Sequence, residues 1–484
     1  MHALLRFVLF VGTLGIALPA AAQEGVGRSQ EVARVGRFTI SAGELLDSYE
    51  FGPAFVKRND HPLRKHLGYM IDEKLLALAA EREGLDTTSF VRSRLDAILE
   101  DLAVDRLYTA EVTSRVHLSK GEIDTASEKA RVQIGLRWLF ATGRNDIERH
   151  ALRLKQGVSF DSLMSAPNGE GGSADARTLE TTLLRLETRS PSFARAIGRL
   201  RAGECTPPLQ GPDGFYIVRL DRITRNPVQT ETEQARTRQD ATALLTEART
   251  QSIAADYAGS FMKTANPVIK AGGLNVLRAY LADRGLSRDL RVKWKIPSTF
   301  MTEAGPRPIN DAGEFLKTPL VMFAGRTLTV RDYLEWFEIR QFQLKRTSLA
   351  AFNASVKQTI WRLVRDRLLI EEAFRRGLNH RNDVREESDR WHAKLLYLAW
   401  RRQLARQLTI GAQFDDQKEQ VEIFRTLQKL RSEFGPTVND SAVRALSRET
   451  VREPGSIDVV VYKPGGTFPR VAFPTIDERW QSFP

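Results

Sequence analysis

Apolar positions in this chain fall in helical register over two long stretches and in strand register over a shorter stretch between them. Val32–Ile40 reads as a short strand, and Ser41 with Glu44 three residues on reads as a capping box opening a helix. Leu67, Met70, Ile71, Leu75 and Leu78 then recur on one face of a helix that ends near Gly84. Leu95, Ile98, Leu99 and Leu102 mark a further helix running through Leu107. The same order returns late in the chain. Leu320–Val330 reads as a strand pair turning at Ala324-Gly325-Arg326, a helix follows from Asp332, and Ile360, Leu363, Val364, Leu368 and Leu369 form the next apolar face, closed by Gly377-Leu378.

The two stretches align without a gap between Leu67–Leu85 and Ile360–Leu378. Leu75-Leu76 falls on Leu368-Leu369, Ala80 on Ala373 and Arg82 on Arg375, and Val91-Arg92 continues onto Val384-Arg385. This is the pattern of an internally duplicated helical unit. Between the copies the periodicity changes. Arg131–Phe140 reads as a strand, Asp146–Lys155 and Phe160–Met164 as helices, Thr181–Leu186 as a strand, Ser192–Leu200 as a helix and Phe215–Leu220 as a strand. That order predicts a small α/β domain of about 100 residues. Helix is expected again over Glu231–Lys263 and Val421–Phe434. The expected fold class is therefore α+β and multidomain. Its boundaries are a leader at 1–22, a helical unit at 30–121, the α/β domain at 122–226 and a helical packing region at 227–319. A second helical unit follows at 320–412, then a C-terminal helix and irregular tail at 413–484.

Met1–Arg6, the apolar run Phe7–Leu18 and the small residues Ala20-Ala21-Ala22 have the form of a secretory signal peptide cleaved after Ala22. The run is too short for a spanning helix, so stable membrane insertion is not expected and the mature chain is assigned to the periplasm. The formal charge is +12, from 72 Lys and Arg against 60 Asp and Glu. These charges are interleaved along the chain, which argues against a dedicated nucleic-acid surface. Cys205 is the lone cysteine, expected as inert packing. The histidines show no metal-ligand spacing, with His61 and His66 expected on a solvated turn. Gly169-Glu170-Gly171-Gly172 lacks the preceding strand of a nucleotide loop and reads as a flexible loop. No cofactor and no metal is expected. Among the aromatics of the second helical unit, which are expected chiefly in its core, Trp336 and Phe342 are the candidates for a client-binding groove.

Several segments resemble a known family. Gly203-Glu204-Cys205-Thr206-Pro207-Pro208 followed by Gly214-Phe215-Tyr216-Ile217-Val218-Arg219-Leu220 is similar to the closing turn and strand of parvulin-type (PpiC-like) peptidyl-prolyl isomerases. Lys155–Leu163 resembles the helix junction of those domains, and Pro191-Ser192-Phe193-Ala194-Arg195-Ala196 resembles their Pro-x-Phe-x-x-Ala helix. The flanking units resemble the chaperone segments of SurA and PrsA proteins, and Leu118–Ile123 matches the boundary those proteins place before the isomerase domain. The resemblance covers roughly residues 30–270, and 320–450 more loosely.

The resemblance implies an active site of two histidines on adjacent strands beside an apolar proline pocket. By that alignment the histidine positions are Arg137 and Tyr216, and the pocket positions are Thr181, Arg189 and Phe193, of which only Phe193 keeps its character. The domain is therefore expected to fold without accelerating prolyl isomerisation, with Arg189 turned to solvent or paired with Glu187. The implied function is ATP-independent holding of unfolded exported polypeptides, outer-membrane protein precursors among them, with Phe193 as a further client-binding candidate. An active isomerase with a rearranged site and a structural partner in an envelope complex stay open as alternatives. No nucleic-acid partner is implied.

Overall fold

The computed structural model describes residues 27–50, 60–165, 177–211, 213–225, 230–302, 305–306, 313–340, 342–410, 413–414 and 416–450. In chain order its main elements are β1 (Glu31–Val35), β2 (Phe38–Ser41), α1 (Ala42–Glu50), α2 (Pro62–Arg82), α3 (Ser89–Glu111) and α4 (Lys120–Ala130). Next come β3 (Val132–Ala141), α5 (Arg144–Lys155), α6 (Phe160–Met164), β4 (Thr178–Thr182), α7 (Leu183–Arg189), α8 (Pro191–Ile197), β5 (Leu209–Gln210) and β6 (Phe215–Arg225). The long helix α9 (Glu231–Ala265) leads to β7 (Val268–Ile269), α10 (Ala271–Gly285), α11 (Arg288–Lys293), β8 (Pro319–Phe323) and β9 (Arg326–Thr329). The chain ends in α12 (Val330–Arg340), α13 (Leu349–Arg375), α14 (Asn382–Leu408), α15 (Asp416–Phe434), β10 (Thr437–Val438) and α16 (Asp440–Thr450). The fold is α+β and multidomain. Tyr108–Ser260 forms one compact unit, and the residues up to Leu107 join those from Phe261 onward in the other.

The second of these units holds the duplication, and the repeat reaches further than the apolar pattern implies. In the first copy β1 pairs antiparallel with β2 on one side and with β10 on the other, with Ala33 opposite Val438. In the second copy β8 pairs with β9 and with β7, with Val321 opposite Ile269. Each short outer strand is entered through a residue before proline held at positive φ, Gly435 at 51° and Asn266 at 43°. The N–H groups of these two residues donate to Arg431 and Met262 at 3.1 Å, ending the preceding helix. Leaving the strand, Asn439 N–H donates to Val32 O at 2.9 Å and Lys270 N–H to Leu320 O at 2.8 Å. The helix after each hairpin is capped alike, by Ser41 Oγ accepting from Glu44 N–H at 3.1 Å and Thr329 Oγ1 accepting from Asp332 N–H at 3.3 Å. The strands at 268–269 and 437–438 are too short to leave a periodic signal, so sequence reasoning missed them.

The described residues of 320–412 divide between two cores. Helices α12 and α13 pack with α10 through Leu277, Tyr280, Tyr333, Ile360 and Leu363. Helix α14 instead gives Trp391, Leu395 and Leu396 to a core shared with Leu67, Leu75 and Leu76 of α2, and α15 adds Ile423 and Leu427. Helix α3 contributes Ile98 to that first core. It is also tied to the second copy by Asp101–Arg340 at 2.6 Å and Glu100–Arg367 at 3.1 Å.

Charges run through the α2–α14 contact. Asp72, Glu73 and Lys74 of α2 are all buried. Glu73 meets Lys394, Lys74 meets Glu44 at 3.2 Å, and Asp72 meets Arg431 at 2.6 Å. Burial pushes the Lys394 amine below its ordinary range while Glu73 favours its charged form. His66, expected on a solvated turn, is instead fully buried and shares a 2.9 Å hydrogen bond with Ser48 Oγ. Its place at the start of an apolar helix face, four residues before Met70, turns it inward.

In the other unit the sheet order is β4-β3-β6-β5, all antiparallel. The strand expected over Thr181–Leu186 stops at Thr182. The Thr182 hydroxyl accepts from Arg185 N–H at 3.2 Å and starts α7, whose Leu184 and Leu186 are buried. A threonine cap followed by a leucine-rich run favours helix over strand.

Lys394→Ala should destabilise the helical unit by about 3–5 kcal/mol, because it strands a buried carboxylate. The double change Glu73→Gln/Lys394→Met should recover most of that loss. Urea unfolding of the full chain, followed by tryptophan emission, measures both; a single-variant loss below about 1 kcal/mol would contradict the assignment.

Candidate functional site

Strand β3 is the centre of the candidate site, and its alternation sorts the residues onto two faces. On one face Leu136 and Trp138 of β3 pack with Tyr216, Val218 and Leu220 of β6 and with Leu186, Phe193 and Ile197 of α7 and α8. On the other, Leu139 and Ala141 pack with Ile217 and with Ile147, Phe160 and Leu163 of α5 and α6.

Arg137 belongs to the second face. Its guanidinium donates to both Asp221 carboxylate oxygens, one of them at 3.1 Å, and to Asp161. Arg219, directly opposite on β6, meets Asp221 at 3.1 Å and Asp161 at 3.6 Å. Both guanidinium groups lie over the Phe160 ring, at 5.9 and 5.6 Å from its centroid. The ladder shifts register between Gly135 and Leu136, so that Asp221 is the extra residue on β6. Such a bulge re-aims a side chain, and here it brings the carboxylate between two arginines. The hydrogen bonds that Arg137 donates to Asp221 and Asp161 hold its cation above its already high ordinary range. Two cations and two carboxylates pair with one another, while the buried Arg219 Nε makes no hydrogen bond of its own among the described residues. Cys205 bridges to Arg219 at the edge of this cluster, and burial pushes its thiol up, as suits a packing residue.

Tyr216 sits on the opposite face. It is fully buried, and its hydroxyl donates to Asp213 at 2.5 Å. Burial, with that hydrogen bond, raises the phenol far above its ordinary value, so it stays protonated. Its ring meets Phe193 edge-on at 5.6 Å and Phe140 at 5.0 Å. Phe193 is only 4% exposed, so it is a core residue rather than the wall of an open pocket. The aligned pair is therefore not brought together: Arg137 and Tyr216 project from opposite sides of the sheet.

Thr181 lies on edge strand β4 opposite Ile134, and Arg189 ends α7 exposed to solvent. Of the two places expected for Arg189, solvent is where it goes, because Glu187 is taken by Lys129 at 2.6 Å. In the helical unit Trp336 is 6% exposed and packs against Tyr333 and Phe342, which places it in the core and not in a groove. Phe342 is half-buried beside it, with the Arg362 guanidinium 5.0 Å from its ring centroid. The Asp161–Asp221 cage escaped sequence reasoning, although Arg137 and Arg219 each stand within the two strands that it assigned. The loop Asn168–Asp175 lies outside the described residues. Among the described residues there is no cluster of His, Cys, Asp and Glu fit to hold a metal ion.

Among solved structures the chain is similar to peptidylprolyl isomerase (PrsA) from Bacillus anthracis, at 12% identity and TM-score 0.22, covering 40% of this chain and 97% of that one. It is also similar to foldase protein PrsA from Streptococcus pneumoniae, at 14% identity and TM-score 0.22, covering 46% and 90%. A third similarity is to a Campylobacter jejuni chain from work on PEB4 and Cj1289, described as structurally related SurA-like chaperones. It stands at 14% identity and TM-score 0.13, covering 48% and 96%. No curated protein matches the chain. The family described as the PPIC-type PPIASE domain matches residues 127–264, which span the four-stranded sheet, its helices and most of α9. This chain is accordingly a parvulin-domain protein, with a PPIC-type PPIase domain at residues 127–264.

Proposed function

We propose that the protein is an ATP-independent chaperone that holds unfolded exported polypeptides, outer-membrane protein precursors among them, and that its PPIC-type domain does not catalyse prolyl rotation. The observation that carries this reading is the fate of the two aligned histidine positions. One is an arginine closed in by Asp161 and Asp221, and the other is a tyrosine packed on Phe193. Catalysis of prolyl rotation must lower a barrier of about 18–20 kcal/mol set by amide resonance. That requires a proline ring held in an apolar pocket, and here the ring of Tyr216 already lies against Phe193.

The holding function falls to the duplicated helical unit. Its second copy leaves Trp361 and Phe374 of α13 partly exposed, along with the cross-strand neighbours Val268 and Met322. Weak apolar contacts of this kind suit many clients and no single one. Action in the periplasm follows from the expected signal peptide, and no described helix is long and apolar enough to cross a membrane.

In a proline-peptide exchange assay the full chain should leave the uncatalysed rate, tens to hundreds of seconds at about 25 °C, unchanged. Arg137→His/Tyr216→His should not restore activity, because the two positions face opposite sides of the sheet. Clear acceleration by the unmutated chain would place it among the active isomerases instead.

With a denatured β-rich client, near-stoichiometric protein should suppress light scattering in the absence of ATP. Unchanged scattering at large excess, with one stoichiometric partner retained in a pull-down, would favour the structural-partner reading.

A further inference from the structure

The arginines of the PPIC-type domain divide into two kinds. Nine of the seventeen are held by carboxylates, among them Arg137 by Asp221, Arg222 by Glu180, Arg238 by Asp124 and Arg249 by Glu122, while Arg153, Arg177 and Arg236 stand singly without one among the described residues. The hairpin formed by α7, α8 and the turn that follows is different. Arg185, Arg189, Arg195, Arg199 and Arg201 are all exposed there, and none has an ion-pair partner among the described residues. The acids within this stretch are spoken for, since Glu187 holds Lys129 and Glu204 accepts from the Arg201 backbone N–H.

This arrangement works against the fold. Arg185 and Arg189 stand one helical turn apart, a spacing at which like charges repel. The inward side of the hairpin is fully used, by Leu184, Leu186, Phe193, Ala194 and Ile197. The arginines thus form a layer on the outer side of a packed hairpin. The other exposed residues of α8 and its turn are Pro191, Ser192, Gly198, Ala202, Gly203 and Glu204. In this stretch there is no exposed aromatic to stack on a base, and no exposed aliphatic side chain beyond the small Pro191 and Ala202 to seat an unfolded client. What is left is an exposed array of forked cations, each able to match phosphate oxygens in pairs.

We propose that the α7–α8 face docks the PPIC-type domain on an anionic phospholipid surface through headgroup phosphates. Five exposed cations spread over two helices and a turn suit a sheet of phosphates, where a free phosphate ion would need an enclosing pocket. Cations near such a surface add their attractions and are screened together by salt. The proposal does not depend on whether the domain isomerises proline or the chain holds clients.

The test is co-sedimentation of the mature full chain with vesicles of phosphatidylcholine alone or with phosphatidylglycerol added. The same measurement is made on a variant carrying Arg185→Gln, Arg189→Gln, Arg195→Gln, Arg199→Gln and Arg201→Gln, whose folding is checked by circular dichroism. Binding is expected to phosphatidylglycerol vesicles only, and to weaken by more than about tenfold both in the variant and on raising salt several-fold. Equal binding by the variant, or none to anionic vesicles, overturns the proposal. Capture of polyglutamate without capture of anionic vesicles also overturns it, and assigns the face to an acidic polypeptide. Should the variant misfold, the salt dependence of the unmutated chain and its preference for phosphatidylglycerol over phosphatidylcholine still decide the question.

Discussion

The packing of α2 against α14 is the contact on which the helical unit depends. These helices lie far apart in the chain, and their apolar faces complete a single core. Neither Leu67 and Leu75 nor Leu395 and Leu396 can be buried without the other set. The pair Glu73–Lys394 lies within the same contact, so separation of the helices would expose two charges that have given up their water. A buried pair adds little net stability, but it penalises any other register heavily. The chain therefore leaves this unit after α3, builds the PPIC-type domain, and must return before the first copy is closed. The two-residue strand β10 makes the same demand on β1, because Val32 O receives the N–H of Asn439.

In the PPIC-type domain the two positions that the resemblance aligns with histidines are built into the packing and ion pairs of the sheet. The residues that make the sheet and its two cores are apolar and alternate as strands require. At Arg137 and Tyr216 the replacements are integrated into the structure and do not leave holes. Arg137 gains a carboxylate cage through the bulge at Asp221, and Tyr216 fills space against Phe193 with its hydroxyl satisfied by Asp213. Both side chains are thereby tied into the domain.

Much of this was legible in the residues. The apolar spacing of α2 and α13 revealed the duplication, and the strands at Val132–Ala141 and Phe215–Arg225 were visible from their patterns. Periodicity is local, however, and it does not say which helix covers which. Nothing in the spacing of Trp391, Leu395 and Leu396 tells that they belong with α2 rather than α13. The faces of Arg137 and Tyr216 were hidden for a related reason. Alignment assigns a residue to a strand, while its side depends on register, and register depends on pairing across the sheet. Trp336 and Phe193 are both buried, and sequence alone reads a large aromatic the same in a core as in a groove.

Hydrogen exchange on the full chain tests the central claim most directly, namely that the first copy of the repeat is completed only by the C-terminal helices. The account predicts that amides of α2 and α14 open together with the same free energy, and that Lys394→Ala lowers protection in both while β3 and β6 remain protected. Protection of α2 that survives the opening of α14 would contradict it.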